Sequence, residues 1–191
     1  MGSIVSKKNQ AFCFSFSLEQ CGFSSREIEC FQAYLNNLTD PYHKIDHDEF
    51  KNFYSQLNPQ LNDQNIEEVL RIAFSDIDNE LRKFLTFDEC IVFYIIQKSS
   101  PEDLSKNMKI FLNHLNDNSG SMTLKQAIRY SKNALAYRMY YEDKSLSSQA
   151  ALAQVFYYYC YENIKIDEFL NHNFKKELWS NGYKIGYLVK F

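Results

Sequence analysis

The polar side chains of residues 115–126, LNDNSGSMTLKQ, are spaced like the ligands of a calcium-binding loop. Ca²⁺ takes six to eight oxygens, and a loop of about 12 residues supplies them from positions one, three, five, seven, nine and twelve around a glycine at six. Gly120 stands at position six, but Leu115 and Gln126 stand at one and twelve, where carboxylates are preferred. Because both carboxylates are missing, we predict a lost calcium site that keeps its turn. The remaining candidate ligands are Asp117, Ser119, Ser121 and Thr123.

These residues, which form the third of four such loops, also have a purely structural interpretation. Thr123 and Gln126 spell the T-x-x-Q capping box of a helix that begins after the loop. Gly120 permits the turn whether or not a metal binds. The third loop is therefore expected to fold without calcium.

The second loop, residues 78–89, places a cation among its carboxylates. Arg82 at position five carries positive charge into the centre of a cation site, and repulsion at such close range is not small. Lys83 at position six lacks the conformational freedom of glycine. Weak calcium binding, or an empty loop closed by a salt bridge, is predicted. The carboxylates at positions one, three and twelve are Asp78, Glu80 and Glu89.

The first and fourth loops lack the ligands that calcium needs. The first has Leu38 at position one and Tyr42 at position five, and Pro41 stiffens its turn. The fourth has Tyr157, Tyr159 and Tyr161 at positions one, three and five, so its incoming helix is expected to continue into the loop. Ca²⁺ is thus the one cofactor that the sequence suggests. Calcium binding is not expected in the first and fourth loops and is disfavoured in the second and third. The alternative is a functional calcium sensor in which the second and third loops bind together through backbone carbonyls and water.

Four helix–loop–helix units position these loops. Amphipathic periodicity flanks each loop, as in NIEEVLRIAFSDI before the second and FDECIVFYII after it. Each loop has an apolar residue at position eight, and these recur at intervals of roughly 40 residues, a period typical of helical repeats. Such loops pair at this residue through a short two-stranded contact, so the units come in pairs. The four apolar residues are Ile45, Leu85, Met122 and Ile164.

The repeat predicts an all-α fold of two lobes, each a pair of EF-hand helix–loop–helix units with short two-residue β contacts between loops. Residues 23–98 would form the first pair and 99–180 the second. An N-terminal anchor segment would occupy 1–22, and a C-terminal tail 181–191. With only 5 Gly and 3 Pro in 191 residues, the composition favours long helices over turn-rich sheets.

Composition argues against several functions. The net charge of −3, from 21 basic and 24 acidic residues that are well mixed, disfavours nucleic-acid binding. Five cysteines without a C-x-x-C pair or a secretory leader indicate reduced thiols in the cytoplasm. No apolar run approaches the ~20 residues of a membrane span. No enzyme is predicted, because there is no glycine-rich phosphate loop and no nucleophile pairs obviously with any of His43, His47, His114 and His172.

The first residues, MGSIVSKK, predict a lipid anchor. Gly2 follows the initiator methionine, and Ser6 stands at a position that N-myristoylation favours. One acyl chain gives only marginal, reversible membrane binding, on the order of 10⁴ M⁻¹. Lys7 and Lys8 could each add roughly 1 kcal/mol at an anionic surface. We therefore expect a cytoplasmic protein at the membrane periphery, with a chance N-terminal match as the alternative.

Three segments carry a family resemblance: MGSIVSKK; FSSREIECFQAYLNNLTDPYHKIDHDEFKNFYSQLNP, whose inactive loop contains a proline; and VLRIAFSDIDNELRKFLTFDECIVF, followed by SPEDLSKNMKIFLNHLNDNSGSMT. Through these segments the sequence resembles the neuronal calcium sensor family, the recoverin and frequenin group of N-myristoylated EF-hand proteins. The similarity covers roughly residues 23–179. It implies two helical lobes with an apolar groove that takes the amphipathic helix of a target protein or shelters the acyl chain.

Seven apolar side chains are candidates for this groove, with a place in the hydrophobic core as the alternative for each. The predicted function is a regulatory adaptor that binds a target helix at a membrane surface, with weak or lost Ca²⁺ binding. The groove candidates are Tyr34, Phe50, Phe53, Tyr54, Phe87, Tyr94 and Ile95.

Overall fold

A computed structural model describes residues 17–37, 44–75, 82–142, 146–161, 163–175 and 178–179. The chain is mostly helical, which confirms the all-α class, and it includes two short antiparallel two-stranded sheets. The elements are α1 (Ser25–Asn37), β1 (Lys44–Ile45), α2 (His47–Leu57), α3 (Asp63–Ala73), β2 (Leu85–Thr86), α4 (Phe87–Lys98), α5 (Pro101–Leu115), β3 (Ser121–Thr123), α6 (Leu124–Tyr137), α7 (Ser148–Phe156), β4 (Asn163–Lys165) and α8 (Ile166–Asn173).

Some predicted features lie outside these residues. They include the proposed lipidation site, two carboxylates of the second loop and the C-terminal tail: Gly2, Asp78, Glu80 and 181–191. Within the described part of the chain, none of the helices is long and apolar enough to span a membrane.

Polar caps determine where several helices begin. The capping box of Thr123 and Gln126 starts α6, as predicted, with the Thr123 hydroxyl accepting from the Gln126 amide at 3.2 Å. Asp46 and Glu49 form the same box at the start of α2. Ser100 caps α5, which opens with a proline at its first position. These local interactions fix the first turns of α2, α5 and α6.

The two sheets join neighbouring loops at the apolar residues that the repeat singles out. Strand β1 pairs antiparallel with β2, placing Ile45 opposite Leu85. Strand β3 pairs with β4, placing Met122 opposite Ile164, over three residues each where two were predicted. All four side chains are buried. The loops therefore come in pairs, the first with the second and the third with the fourth.

Helix α4 lies at the centre of one continuous core. It is apolar on every side, as expected for a helix enclosed by others, and Ile91, Val92 and Ile95 have no exposed surface. Phe93 meets Tyr137 of α6 edge to face, with ring centroids 6.0 Å apart. The core therefore extends across the predicted lobe boundary between residues 98 and 99.

Residues before α1 also contribute to this core. Residues 17–20 form a helical turn, and Leu18 and Cys21 are buried. The Cys21 thiol donates to the carbonyl of Asn107 in α5 at 3.3 Å, and the Asn107 amide donates to the Cys21 carbonyl at 3.3 Å. Burial raises the pKa of Cys21 to about 12, so its thiol stays protonated at neutral pH. This part of the predicted anchor segment is thus bound to α5.

Candidate functional site

The second loop is held by a guanidinium group. Arg82 Nη1 lies 2.8 Å from Glu89 Oε1, forming the ion pair that the sequence suggested as one outcome. Arg82 Nη2 donates to the carbonyl of Ala73 at 2.9 Å and to Asn133 Oδ1 at 2.7 Å. The Arg82 amide donates to the carbonyl of Phe74 at 2.7 Å. One side chain thus gathers three oxygens from α3, α4 and α6.

The carboxylate of Glu89 depends on this cation. Its side chain is 4% exposed, and an unpaired charge buried to that extent is strongly unfavourable. Its second oxygen, Oε2, accepts from the backbone amide and the hydroxyl of Thr86, both at 2.8 Å. Glu89 therefore caps α4 with one oxygen and neutralises Arg82 with the other.

Helix α6 binds the neighbouring carboxylate, Asp88. Arg129 Nη2 lies 3.0 Å from Asp88 Oδ2, which also accepts from the hydroxyl of Tyr130. Burial raises the pKa of Tyr130 well above its usual value, and the charge of Asp88 raises it further, so Tyr130 remains a donor. Arg129 Nη1 reaches the Thr86 hydroxyl at 3.3 Å. Both carboxylates at the start of α4 are therefore engaged by arginine.

Sequence reasoning missed the residues of α6 that complete this site. Arg129 and Asn133 are four residues apart, so they lie on the same face of the helix. Asn133 is 6% exposed, and a polar side chain on a buried helical face needs a partner. The spacing of Arg129 and Asn133 can be seen in the sequence. The partner of Asn133 is Arg82, which lies 51 residues earlier in the second loop, and no local sequence pattern indicates that contact.

The polar side chains of the third loop are engaged with the loop itself. Ser119 Oγ donates to the Ser121 carbonyl at 3.0 Å and accepts from the Ser121 amide at 3.2 Å. The Thr123 hydroxyl belongs to the cap of α6. Asp117 is exposed and has a φ of 53°, in the left-handed region that Gly120 also occupies with a φ of 71°. The candidate ligands thus form a tight turn.

The fourth loop is aromatic, as its tyrosines indicated. A 3₁₀ turn, Tyr157–Cys160, extends α7 into the loop and fulfils the prediction that the helix continues. The ring of Tyr157 stacks on His172 at 4.6 Å, and its hydroxyl accepts from Tyr161 at 2.9 Å. Burial lowers the pKa of His172, which favours the neutral ring. No group of three or more His, Cys, Asp or Glu side chains suited to a metal ion is present in the described residues.

Five of the seven groove candidates lie in the core. They are Phe50, Phe53, Tyr54, Tyr94 and Ile95, none more than 6% exposed. Tyr34 and Phe87 are half-buried and stack on each other, with ring centroids 5.9 Å apart and planes at 11°. Of these seven candidates, Tyr34 and Phe87 are the two that offer ring surface to a partner. Whether any of the seven binds a target stays a prediction.

Edge-to-face contacts explain why so many rings are buried. The ring of Phe31 lies 5.0 Å from Phe53 and 5.7 Å from Tyr94, at interplanar angles of 68° and 69°. Such pairs contribute about 0.5–1.5 kcal/mol each beyond the burial of apolar area. The aromatic excess of the sequence therefore serves the packing of α1, α2 and α4.

A polar cluster joins α1 to α4 at the edge of these rings. Glu27 accepts from the Tyr94 hydroxyl at 2.7 Å, from the amide and hydroxyl of Ser24, each at 2.7 Å, and from Lys98. Burial alone would raise the pKa of Glu27, but its hydrogen bonds with Lys98, Ser24 and Tyr94 outweigh burial and lower it. Glu27 is therefore ionised at neutral pH and holds both helices.

The outer side of the second loop borders an open pocket of about 610 Å³. Leu70 and Phe74 contribute apolar surface to it, and His47, Glu67 and Arg71 contribute charge or polarity. Acidic and basic groups are mixed, so the lining favours no single class of ligand.

The chain matches no protein-family model, no curated protein and no solved structure. The similarity to calcium sensors therefore stays a prediction that depends on the quoted motifs.

Proposed function

We propose that this chain is an EF-hand-type regulatory adaptor in which calcium binding is weak or lost. The observation that carries the proposal is the position of Arg82, whose guanidinium pairs with Glu89 and collects oxygens from Ala73 and Asn133. Glu89 is the residue that would supply two oxygens to a calcium ion at position twelve. A calcium ion would have to displace the guanidinium and would meet its charge at close range.

The pairing of the loops supports the EF-hand part of the proposal. Two hands that share a short antiparallel contact at their eighth positions would produce the pairs Ile45–Leu85 and Met122–Ile164. Capping boxes at the starts of α2, α4 and α6 give these hands a local means of folding without metal. The two proposed lobes would then serve as a scaffold.

The third loop supports the loss of calcium binding. The Ser119 hydroxyl is hydrogen-bonded to the backbone of Ser121, and Thr123 caps α6. Binding a metal would cost those hydrogen bonds, and Leu115 and Gln126 offer no carboxylate in return.

The proposed partners are the amphipathic helix of a target protein and a membrane surface reached through an acyl chain on Gly2, and no catalytic activity is proposed. Tyr34 and Phe87 are the groove candidates that a partner can contact while the core stays closed. The others become available only if α1 and α2 separate from α4. A helix that lays its apolar face on the stacked pair would extend the aromatic packing already present.

Calorimetric titration of the full chain with Ca²⁺, in the presence of Mg²⁺, tests the proposal. We expect no saturable heat up to millimolar calcium. Heat that saturates at micromolar calcium and disappears in an Asp117→Ala variant would assign a working site to the third loop. Heat that persists in that variant would assign it to the second loop. Either result would make the chain a sensor and refute the proposal.

A further inference from the structure

We infer that Arg82, Asn133, Asp88 and Arg129 form a permanent latch that couples the second loop to α6. The latch goes beyond the proposed adaptor function, because it concerns how the two halves of the chain are held together whatever they bind. Its two ion pairs involve adjacent carboxylates at the start of α4: Asp88 pairs with Arg129 of α6, and Glu89 pairs with Arg82, which donates in turn to Asn133 of α6.

Arg82 joins three elements through charged hydrogen bonds. It binds the 4% exposed carboxylate of Glu89 in α4, a carbonyl at the end of α3 and the amide oxygen of Asn133 in α6, all within 2.9 Å. Hydrogen bonds of this kind are about twice as strong as neutral ones. Because a guanidinium is always charged and is part of the chain, these contacts do not depend on the concentration of any ion.

Arg129 makes the reciprocal connection from α6. It binds Asp88 at 3.0 Å and the hydroxyl of Thr86 at 3.3 Å, and Tyr130 binds the same carboxylate. Asp88 thus cannot leave its place without breaking contacts to α6, and Glu89 is linked to α6 through Arg82 and its bond to Asn133. Movement of the second loop and movement of α6 are therefore coupled.

A second contact pair lies on α3. The guanidinium of Arg71 covers the ring of Tyr140 at 4.7 Å, and the Tyr140 hydroxyl also donates to Glu68 at 3.3 Å. These groups tie α3 to the π-helical turn that extends α6. The latch therefore has supporting contacts along α6, and opening it requires α6 to move as a unit.

Hydrogen exchange followed by mass spectrometry, on the full chain in a calcium chelator, tests the latch. The decisive variant is Asn133→Ala, which removes the contact of Arg82 to α6 and leaves the Arg82–Glu89 ion pair in place. We expect exchange to become about ten- to hundredfold faster both in peptides covering 82–98 and in peptides covering 124–137, as loss of a charged hydrogen bond would give. Arg82→Ala should produce the same pattern.

Lys109→Ala is the matched control, because it breaks an exposed ion pair of 2.7 Å to Asp167 within the second half. It should leave exchange in 82–98 unchanged. Faster exchange in Asn133→Ala that is confined to α6, or that rises equally in α1, would overturn the latch. If Arg82→Ala does not fold, Asn133→Ala alone decides. Because calcium is absent throughout, the outcome is independent of the calorimetric test of the proposed function.

Discussion

Removing the guanidinium of the second loop should destabilise the folded chain. Arg82→Met keeps most of the side-chain volume but leaves Glu89, which is 4% exposed, without its cation. Breaking a buried ion pair by removing one partner costs about 3–5 kcal/mol. Because the Arg82 side chain is 19% exposed and water can partly replace it, we expect the lower end, about 3 kcal/mol.

Urea unfolding followed by tryptophan fluorescence measures this loss. Trp179 is the single tryptophan; it is 3% exposed and its indole donates to the carbonyl of Asn173 at 3.0 Å. Unfolding will expose it and change its emission. In a thermal melt the same loss corresponds to a decrease in melting temperature of about 6–12 °C for a chain of this size.

The double variant Arg82→Met with Glu89→Gln isolates the cause. With Gln at position 89 no unpaired charge stays buried, and the glutamine oxygen can still accept from the Thr86 amide. The carbonyl of Ala73 and the amide oxygen of Asn133 still lose their donor, so we expect the double variant to recover about 1–2 kcal/mol of the loss and to remain less stable than the unsubstituted chain. The control Lys83→Met changes an exposed neighbour and should cost less than about 0.5 kcal/mol. A single variant that loses under 1 kcal/mol, or a double variant no more stable than the single, would refute the reasoning.

Three further predictions concern other parts of the chain. The lowered pKa of Glu27 contributes stability that is present above its ordinary value of 4.5 and is lost as pH falls through the pKa of the folded state. Glu27→Gln should therefore reduce the dependence of the unfolding free energy on pH below 4.5, measured by urea unfolding, and an unchanged pH dependence would contradict this. Thr123→Ala should cost about 1 kcal/mol in the same assay by removing the cap of α6, whereas Thr123→Ser should be nearly neutral; equal losses would show that the hydroxyl is not responsible. Gly2→Ala should abolish co-flotation with anionic vesicles after co-expression with an N-myristoyltransferase, and unchanged flotation would exclude the acyl chain as the anchor.

The parts of the fold that follow from local chemistry could be predicted from the sequence. Ile45, Leu85, Met122 and Ile164 recur at intervals of roughly 40 residues, and each pairs as the repeat indicates. Each stands in a short strand between polar residues and has one face to bury. Capping boxes likewise depend on residues three positions apart. Capping boxes and apolar loop positions can be recognised in a single sequence because they are defined by residues close together in the chain.

The site itself depends on contacts that are distant in sequence. The charge of Arg82 predicts weak calcium binding or an empty loop closed by a salt bridge, but its bond to Asn133 joins residues 51 positions apart and has no local signature. The aromatic candidates illustrate a second limit. The helical spacing of a residue such as Phe53 is the same whether its ring lines a groove or fills a core. The packing of Phe31 and Tyr34 against the ring of Phe53 shows that it belongs to the core.

The most direct test of the central claim is a ¹H–¹⁵N NMR spectrum of the full chain, recorded in a calcium chelator and again across a calcium titration in the presence of Mg²⁺. If Arg82 occupies the place of a cation, the amide resonances from Arg82 to Glu89 will not shift up to millimolar calcium. Shifts of those amides that saturate at micromolar calcium would show that the ion displaces the guanidinium, and would contradict the account.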